Sequence, residues 1–245
     1  MPDPDDFADH LADRLAAIPG VVAVTLGGSR AQGTQRPDSD WDFGLYYREG
    51  IDPADVRALG YPGTVVAPGE WAYPMNGGAW LTVEGRKVDL LYRDLADVEQ
   101  WTTEAEEGRW QLFRMPGYLC GMPSYVLAGE AALGRILAGR LAQPSFPPLL
   151  AERGPEQWRW QASFALLHAG AHAKREDVAA CLGKLAFTIV AEAQARLLAQ
   201  RVWALNEKGV VARAGLSGVE TALQARGELL PLVDQVRTSL ELPEW

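Results

Sequence analysis

The 245 residues can form one large domain or two small ones, and 48% hydrophobic with 22% charged residues is the balance of an ordinary globular protein. The formal net charge of −9, from 23 Lys and Arg against 32 Asp and Glu, argues against nucleic-acid partners, whose binding requires basic side chains on phosphates, and favours a cationic small molecule. The N-terminus lacks the apolar core of a signal peptide, and no apolar run has bilayer-spanning length. Because Cys120 and Cys181 lie far apart, without metal spacing, we expect a reduced, cytoplasmic protein without a membrane partner.

The first predicted elements are a helix and a buried strand. Apolar residues recur at helical spacing over residues 7–18, and Pro19-Gly20 ends that helix. Val21–Leu26 is a continuous apolar run of strand length. A turn of small residues, Gly27-Gly28-Ser29, follows the strand directly and opens a second, short helix. This strand–turn–helix order is the first indication of a phosphate site.

The glycine turn supplies groups that bind anions. Backbone N–H groups at the start of a helix point outward and favour negative charge, and Ser29 adds a hydroxyl donor. Gly28 and Ser29, with the nearby Arg30, are therefore predicted to hold the β- and γ-phosphates of a nucleotide. Gln32 and Arg36 also lie close in sequence, so the basic group that meets the phosphates stays open.

The next predicted strand carries two aspartates on one face. In residues 40–47, Asp40 and Asp42 alternate with apolar residues, so the two carboxylates share one side. Two ionised carboxylates this close repel each other unless a cation lies between them, and oxygen ligands favour Mg²⁺, with Mn²⁺ as an alternative. A simple polar turn over residues 38–40 is the alternative, but it explains neither the glycine turn nor the aspartate described next. The apolar residues of the other side are Trp41, Phe43, Leu45 and Tyr47.

A third aspartate lies in a later strand. Residues 61–76 are rich in Gly and Pro and are predicted as a loop, and residues 77–83 and 86–93 as a hairpin joined by Glu-Gly. Asp89 faces away from the apolar side of its strand, so a neighbouring strand can bring it beside Asp40 and Asp42. Three carboxylates can hold two metal ions roughly 3.5–4 Å apart for an in-line displacement. Asn76 is interpreted as a turn residue, with substrate contact as the alternative.

The rest of the chain divides at a proline-rich segment. Helices are predicted over residues 53–59, 95–108 and 124–141, with a possible strand at 111–115. Residues 143–148, Gln-Pro-Ser-Phe-Pro-Pro, break all periodicity. We therefore predict a first domain over residues 1–142 and a second over residues 143–245.

The second domain is predicted to be helical throughout. One helix spans residues 155–173, with a proline in its first turn. A longer one starts at Glu176 or Asp177, runs to about Asn206 and stops at Gly209, and shorter helices follow, with four apolar positions expected in their core. Those four positions are Leu223, Leu229, Leu232 and Val236.

Several polar residues of the helical half are candidates for a functional role. His168 and His172 are four apart on a helix, but no Glu of the H-E-x-x-H type and no third ligand accompanies them, so an ordinary packed or surface pair is favoured over a metal site. Lys184 lies in an apolar stretch, where its stem can cover apolar surface while its head reaches water. Glu207 and Lys208 are interpreted as a helix-end region. Nine Trp are many for this length, and some are candidates to line a pocket for a flat or hydrophobic acceptor.

The spacing of Gly28-Ser29, Asp40-x-Asp42 and the later lone Asp89 resembles the nucleotidyltransferase superfamily that includes DNA polymerase β. By size, the chain is most similar to the small two-domain antibiotic nucleotidyltransferases. The segments 76–80 and 205–209 also resemble those of uncharacterised bacterial nucleotidyltransferase-domain proteins. The resemblance implies an α+β fold, in which a small mixed β-sheet domain with flanking helices precedes an all-α helical bundle. It also implies that a lysine of the helical domain, for which Lys184 is the candidate, reaches the triphosphate.

The expected activity is metal-dependent transfer of a nucleoside monophosphate, AMP from ATP in the first instance, to an acceptor hydroxyl with release of pyrophosphate. Asp40 and Asp42 are expected to hold two Mg²⁺ ions, and Asp89 to bind the catalytic one and take the acceptor proton. The leading acceptor is a small molecule, such as an aminoglycoside-like antibiotic, which implies a role in antibiotic resistance. The alternatives are a toxin-like enzyme that modifies protein or RNA, and a non-catalytic nucleotide-binding or antitoxin-like module.

Overall fold

The computed structural model of the chain describes residues 4–224 and 227–243. The chain divides into two compact units. Unit 1 comprises Met1–Thr103, Gln111–Pro116 and Pro123–Ser145; unit 2 comprises Glu104–Trp110, Gly117–Met122 and Phe146–Trp245. Two short segments that the sequence analysis placed in the first domain therefore group with unit 2.

The strands and helices of the described residues follow in chain order. The strands are β1 (Val21–Leu26), β2 (Trp41–Tyr47), β3 (Gly63–Val66), β4 (Gly78–Val83), β5 (Arg86–Asp94), β6 (Leu112–Phe113), β7 (Met122–Pro123) and β8 (Arg135–Gly139). The helices are α1 (Pro4–Ala16), α2 (Gly28–Ala31), α3 (Pro53–Ala58), α4 (Leu95–Glu106), α5 (Val126–Leu133), α6 (Pro148–Ala173), α7 (Val178–Ala199), α8 (Val210–Arg213), α9 (Ser217–Ala222) and α10 (Leu229–Leu240).

Unit 1 is built on a mixed sheet of six strands in the order β3-β4-β5-β2-β1-β8. The central pair, β2 and β5, is parallel, whereas the other neighbouring strands are antiparallel. The hairpin between β4 and β5 turns at Glu84 and Gly85, both in the left-handed region with φ of 49° and 76°, as a two-residue hairpin turn requires. The mixed sheet, its flanking helices and the helical C-terminal part confirm the predicted α+β class.

One face of this sheet is the main hydrophobic core of unit 1. The residues that alternate with the aspartates are buried there, and α1 packs on them through its own apolar stripe. Phe43, at the centre of β2, is fully buried. Burial of apolar area on this face holds the register of the strands, because a slip by one residue would turn every apolar side chain outward. Its central members are Phe7, Leu11, Leu15, Phe43, Leu45, Val88, Leu90 and Tyr92.

Among the residues that the structure describes, a buried cluster covers one end of the opposite face. This cluster joins Tyr46 of β2 to Val98 and Trp101 of α4 and to Leu127 and Ala131 of α5. These side chains lie at the carboxyl end of β2, whereas the aspartate near its start is half-buried. The sheet therefore leaves one end of this face open, and that open end is where the candidate site lies.

Unit 2 is helical, with α6 and α7 packed along each other. The side chain of Thr188 in α7 donates to the backbone carbonyl of Ala162 in α6 over 3.3 Å, and Trp158 of α6 is fully buried. Pro155 lies in the interior of α6, which begins at Pro148. The prediction that Pro155 occupies the first turn was wrong, since Pro148 fills that position.

Two strands of the six-stranded sheet were not predicted from the sequence. The loop predicted over residues 61–76 contains β3, and the helix predicted over residues 124–141 ends at Leu133. Gly134 is in an extended conformation, and β8 then pairs with the edge of β1. Tertiary pairing with an existing strand edge determines both strands, and neither carries the alternation that would reveal it.

The long helix α7 also differs from its prediction. It ends at Ala199, where Arg201 adopts the left-handed conformation with φ 59° and turns the chain. Gly209 is the N-terminal flanking residue of α8, not a helix stop. Contrary to the sequence expectation, α7 is long and apolar enough to cross a membrane. Half of its apolar window is buried within the protein, and a core helix of a soluble protein meets the same criterion.

Candidate active site

A row of residues crosses the open end of the sheet. The parallel register pairs Asp42 of β2 with Asp89 of β5, and the antiparallel register pairs Asp89 with Trp80 of β4. Paired residues on neighbouring strands project to the same face, about 4.5–5.5 Å apart. The sheet therefore brings the carboxylates of Asp42 and Asp89 side by side, with an indole as the next neighbour. Both aspartates are half-buried.

The glycine turn lies directly against Asp42. The N–H of Gly27 donates to the backbone carbonyl of Asp42 over 2.7 Å. Gly28 has φ 60°, and a Cβ atom on it would lie 1.8 Å from Oδ2 of Asp42. A side chain is excluded at this position both by the backbone conformation and by the carboxylate. The turn predicted to hold phosphates is thus built in contact with one of the aspartates.

Arg30 connects the glycine turn to the start of β2. Its guanidinium donates to the carbonyls of Ser39 and Asp40 over 2.7 and 3.1 Å, and it lies 4.1 Å above the ring of Trp41. These contacts fix the segment that leads into the aspartate strand. The proposed contact of Arg30 with phosphate stays a prediction, and the contacts present assign it a structural role at the edge of the site.

Asp40 precedes β2 and is exposed. Within residues 4–224 and 227–243, no group of three or more His, Cys, Asp and Glu side chains is arranged to hold a metal ion. The three-carboxylate set of Asp40, Asp42 and Asp89 therefore stays a prediction, whereas the backbone register aligns the last two.

The donor chemistry of the aligned pair fits a hard divalent ion. Asp42 and Asp89 offer oxygen atoms only, the ligand type of Mg²⁺ and Mn²⁺. Mg²⁺ commonly keeps several waters and binds through one or two carboxylates together with substrate phosphates. Asp42 and Asp89 would then be the resident ligands of such an ion.

The closed end of the same face holds a buried ion pair that the sequence analysis missed. Arg93 of β5 is 2% exposed, and its guanidinium makes bidentate bonds of 2.5 and 2.9 Å with the Glu130 carboxylate. Burial raises the pKa of the nearby Tyr46 hydroxyl well above its ordinary value, so this hydroxyl stays neutral. The signal was present in the sequence, because Arg93 follows Asp89 by four residues and so shares its face.

The other predicted candidates lie in unit 2. Lys184 is exposed on α7, which agrees with a solvated head group and leaves its triphosphate contact a prediction. Nδ1 of His172 lies 3.3 Å from the carboxylate of Asp177, and His168 packs edge-on against Phe164. Glu207 accepts the backbone N–H groups of Leu119 and Cys120 over 2.7 and 2.6 Å, a structural tie within this unit.

Asn76 is a turn residue. It has φ 67°, and its carbonyl accepts the N–H groups of Gly69 and Trp71 over 2.8 and 3.2 Å. Its side chain donates to the Tyr47 hydroxyl. The interpretation of Asn76 as part of a turn agrees with these contacts, and their consequence is that the loop over residues 67–77 has a fixed shape.

Comparison with known proteins gives one family match. The family model described as "Nucleotidyltransferase domain" matches residues 8–109, which include the glycine turn, both strands that carry the aspartates, and α4. No curated protein matches the sequence.

Three solved structures are similar over nearly the whole chain, at low scores. A nucleotidyltransferase-like protein from Exiguobacterium sibiricum has a TM-score of 0.40 and 13% identity, over 98% of this chain and 73% of that one. An aminoglycoside 6-adenyltransferase from Bacillus subtilis has a TM-score of 0.30 and 9% identity, over 99% of this chain and 90% of that one. The CdnE cyclic dinucleotide synthase of Elizabethkingia meningoseptica has a TM-score of 0.28 and 9% identity, over 97% of this chain and 88% of that one. At such scores neither a substrate nor a detailed fold relationship is inferred from these structures.

Proposed function

We propose that the protein transfers a nucleoside monophosphate to a hydroxyl of a small molecule. The match of residues 8–109 to the nucleotidyltransferase domain model supports this proposal and agrees with the predicted enzyme class. The proposed donor is ATP with Mg²⁺, and the products are the nucleotidylated acceptor and pyrophosphate. The observation that carries this proposal is the register that pairs Asp42 with Asp89 beneath Gly28.

The chain supplies binding and positioning groups for this reaction. The turn at Gly28 and Ser29 offers backbone N–H groups and a hydroxyl to the β- and γ-phosphates. Asp42 and Asp89 would hold Mg²⁺, with Asp40 as the proposed further ligand. When bound there, Mg²⁺ neutralises charge on the phosphates and lowers the pKa of an acceptor hydroxyl. Phosphoryl transfer needs mainly such positioning and charge neutralisation from the protein.

The bond changes define a role for Asp89. The acceptor oxygen forms a bond to the α-phosphorus, and the bond from that phosphorus to the oxygen bridging the β-phosphate breaks. The electron pair leaves with pyrophosphate, and the hydroxyl proton passes to the Asp89 carboxylate. Because Asp89 lies farther than Asp42 from the glycine turn in the row across the sheet, it is the better placed of the two for this proton.

The proposed acceptor is a polyhydroxylated or cationic small molecule. The net charge of −9 supports a cationic partner over a nucleic acid. An aminoglycoside-like antibiotic fits this description, and on this proposal the protein would confer antibiotic resistance. Lys184, exposed on α7, is the proposed lysine contact to the triphosphate.

The test is transfer of label from [α-³²P]ATP to an aminoglycoside panel, to total cell protein and to total RNA, with Mg²⁺ and with EDTA. We expect wild-type protein to label a compound of the panel. EDTA should abolish this labelling, and the Asp42→Asn variant should not produce it. Label on protein or RNA would overturn the small-molecule acceptor. No label together with no metal-dependent ATP binding would overturn the enzyme assignment and favour a non-catalytic module.

A further inference from the structure

A pair of tryptophans lies on the face of the sheet that carries the aspartates, and one of the two is the neighbour of Asp89. Trp80 pairs with Asp89 across β4 and β5 and is 50% exposed, although its neighbours Ala79 and Leu81 are buried. Half of the indole is accessible to a ligand, on the same face as the Asp89 carboxylate. Trp80 is thus the third member of the row that begins with Asp42 and Asp89.

Trp71 is held against Trp80 by a fixed loop. The two ring centroids are 4.8 Å apart with an angle of 38° between the planes. A Cβ atom on Gly78 would lie 2.9–3.0 Å from the ring of Trp71, so the indole lies on the face that Gly78 shares with Trp80. Asn76 fixes the loop, since its carbonyl accepts the N–H of Trp71. Glycine at 78 leaves room for the Trp71 ring, and Asn76 ties the Trp71 backbone into the loop. The two indoles, Trp71 and Trp80, form an aromatic wall.

The direction of the proposed reaction places this wall on the acceptor side. In an in-line displacement, the attacking and leaving oxygens lie on opposite sides of the phosphorus. If the β- and γ-phosphates lie at Gly28 and Ser29, pyrophosphate leaves toward the glycine turn. The acceptor then approaches from the opposite end of the row, where Asp89 is followed by Trp80.

We propose that Trp71 and Trp80 bind the acceptor and select one whose reacting hydroxyl is carried on a ring with a flat apolar face, as in a sugar or cyclitol. Tryptophan presents a large rigid surface to such a ring at low entropic cost. An amino group on the ring would also lie favourably over an indole. This inference rests on the proposed function, because the site of the phosphates fixes the acceptor side.

The experiment compares the affinities of the two substrates in matched variants. The ring probes are methyl α-D-glucoside, myo-inositol and kanamycin, and the nucleotide probe is Mg²⁺ with a non-hydrolysable α,β-methylene ATP, all titrated by calorimetry. The variants are Trp80→Leu, Trp71→Leu and the conservative Trp80→Phe. Thr82→Ala, on the same strand and also exposed, is the control for the integrity of β4.

We expect the best ring probe to bind at least about tenfold more weakly to Trp80→Leu and Trp71→Leu, and within about threefold of wild type to Trp80→Phe and Thr82→Ala. Nucleotide affinity is expected to stay within about twofold in every variant, which also verifies folding.

Three results would overturn this inference. The first is an unchanged affinity for the ring probes in both leucine variants. The second is an equal loss of nucleotide affinity, which would assign the wall to the base of the nucleotide. The third is that no ring probe binds a wild-type protein that does bind nucleotide. Failure of wild type to bind Mg²⁺-nucleotide at all would instead overturn the proposed function.

Discussion

The two faces of the sheet in unit 1 have opposite characters on the same strands. On one face, Phe43 and Leu90 are fully buried beneath α1. On the other, Asp42 and Asp89 are half-buried at an open end, while Arg93 is enclosed by Glu130 at the closed end. Successive residues of one strand therefore have different roles: those on one face stabilise the fold, and those on the other carry the proposed chemistry. Changes on the apolar face should affect folding, and changes at the open end should affect activity.

Removing one charge at the open end should produce the largest effect on activity. Asp42→Asn and Asp89→Asn keep the side-chain volume but lose a metal ligand, so we expect transfer to fall by roughly 10³-fold, comparable to removal of a key electrostatic group in other enzymes. The unfolding midpoint should change little. Rates of labelled transfer and thermal melts by circular dichroism check both, and wild-type rates in either variant would contradict the assignment.

The apolar face gives the opposite result. Phe43→Ala removes a fully buried ring and should lower the free energy of unfolding by about 3–5 kcal/mol. Urea denaturation measures this loss. The fraction that remains folded should transfer at the wild-type rate, and a selective loss of activity at full folding would show that the two faces are not separate.

The closed end tests whether a charged pair on the site face serves structure. Glu130→Gln leaves the buried Arg93 without its counter-ion, and we expect a loss of roughly 2 kcal/mol, less than for a fully enclosed pair. Urea denaturation again measures it. If Glu130→Gln abolished transfer in protein that stayed fully folded, the boundary between the closed and open ends would have to be moved.

The glycine turn allows a matched pair of variants. Gly28 and Gly33 have φ of 60° and 67°, so alanine costs about 1 kcal/mol of backbone strain at either position. At Gly28 the added carbon also collides with the Asp42 carboxylate, whereas nothing lies within 4 Å at Gly33. We therefore expect about a tenfold or larger loss of transfer in Gly28→Ala alone. Equal activities of the two variants would exclude a role for the contact with Asp42.

The smallest effect concerns pH. Burial raises the pKa of Tyr46 above its ordinary value of 10.0, so the folded state keeps this proton more tightly than the unfolded chain. The contribution of this proton to the free energy of unfolding is complete below pH 10. It is lost as the pH rises further, by at most about 1.4 kcal/mol per pH unit. The free energy of unfolding of Tyr46→Phe should therefore fall less steeply above pH 10 than that of wild type. Parallel slopes for the two proteins above pH 10 would contradict the assignment.

The sequence predicted the local elements of the site and an approach of Asp89 to the other aspartates, but not the strand order that makes them neighbours. Val21–Leu26 was predicted with its observed bounds, because a glycine turn and apolar periodicity are local signals. The edge strand β8 was mistaken for helix, since only its pairing with β1 makes it a strand. The Arg93–Glu130 pair joins residues far apart in the chain, so its partner could not be derived from spacing.

The same limit applies to the carboxylates. Alternation placed Asp42 and Asp89 on the solvent-facing sides of their strands, but only the parallel pairing of β2 and β5 makes them neighbours. The sequence analysis assigned Trp80 to neither face, and its position beside Asp89 follows from the hairpin register. Asp40, outside the strand, has no register to fix it.

The central claim is that Asp42 and Asp89 jointly bind a divalent ion beside a nucleotide. Titration of Mn²⁺ by electron paramagnetic resonance, with α,β-methylene ATP present, tests it directly in wild type, Asp42→Asn, Asp89→Asn, Asp40→Asn and the hairpin control Glu84→Gln. We expect Asp42→Asn and Asp89→Asn each to bind Mn²⁺ at least about tenfold more weakly than wild type, and Glu84→Gln to bind it unchanged. The affinity of Asp40→Asn decides whether Asp40 is a third ligand. Wild-type Mn²⁺ affinity in both Asp42→Asn and Asp89→Asn would contradict it.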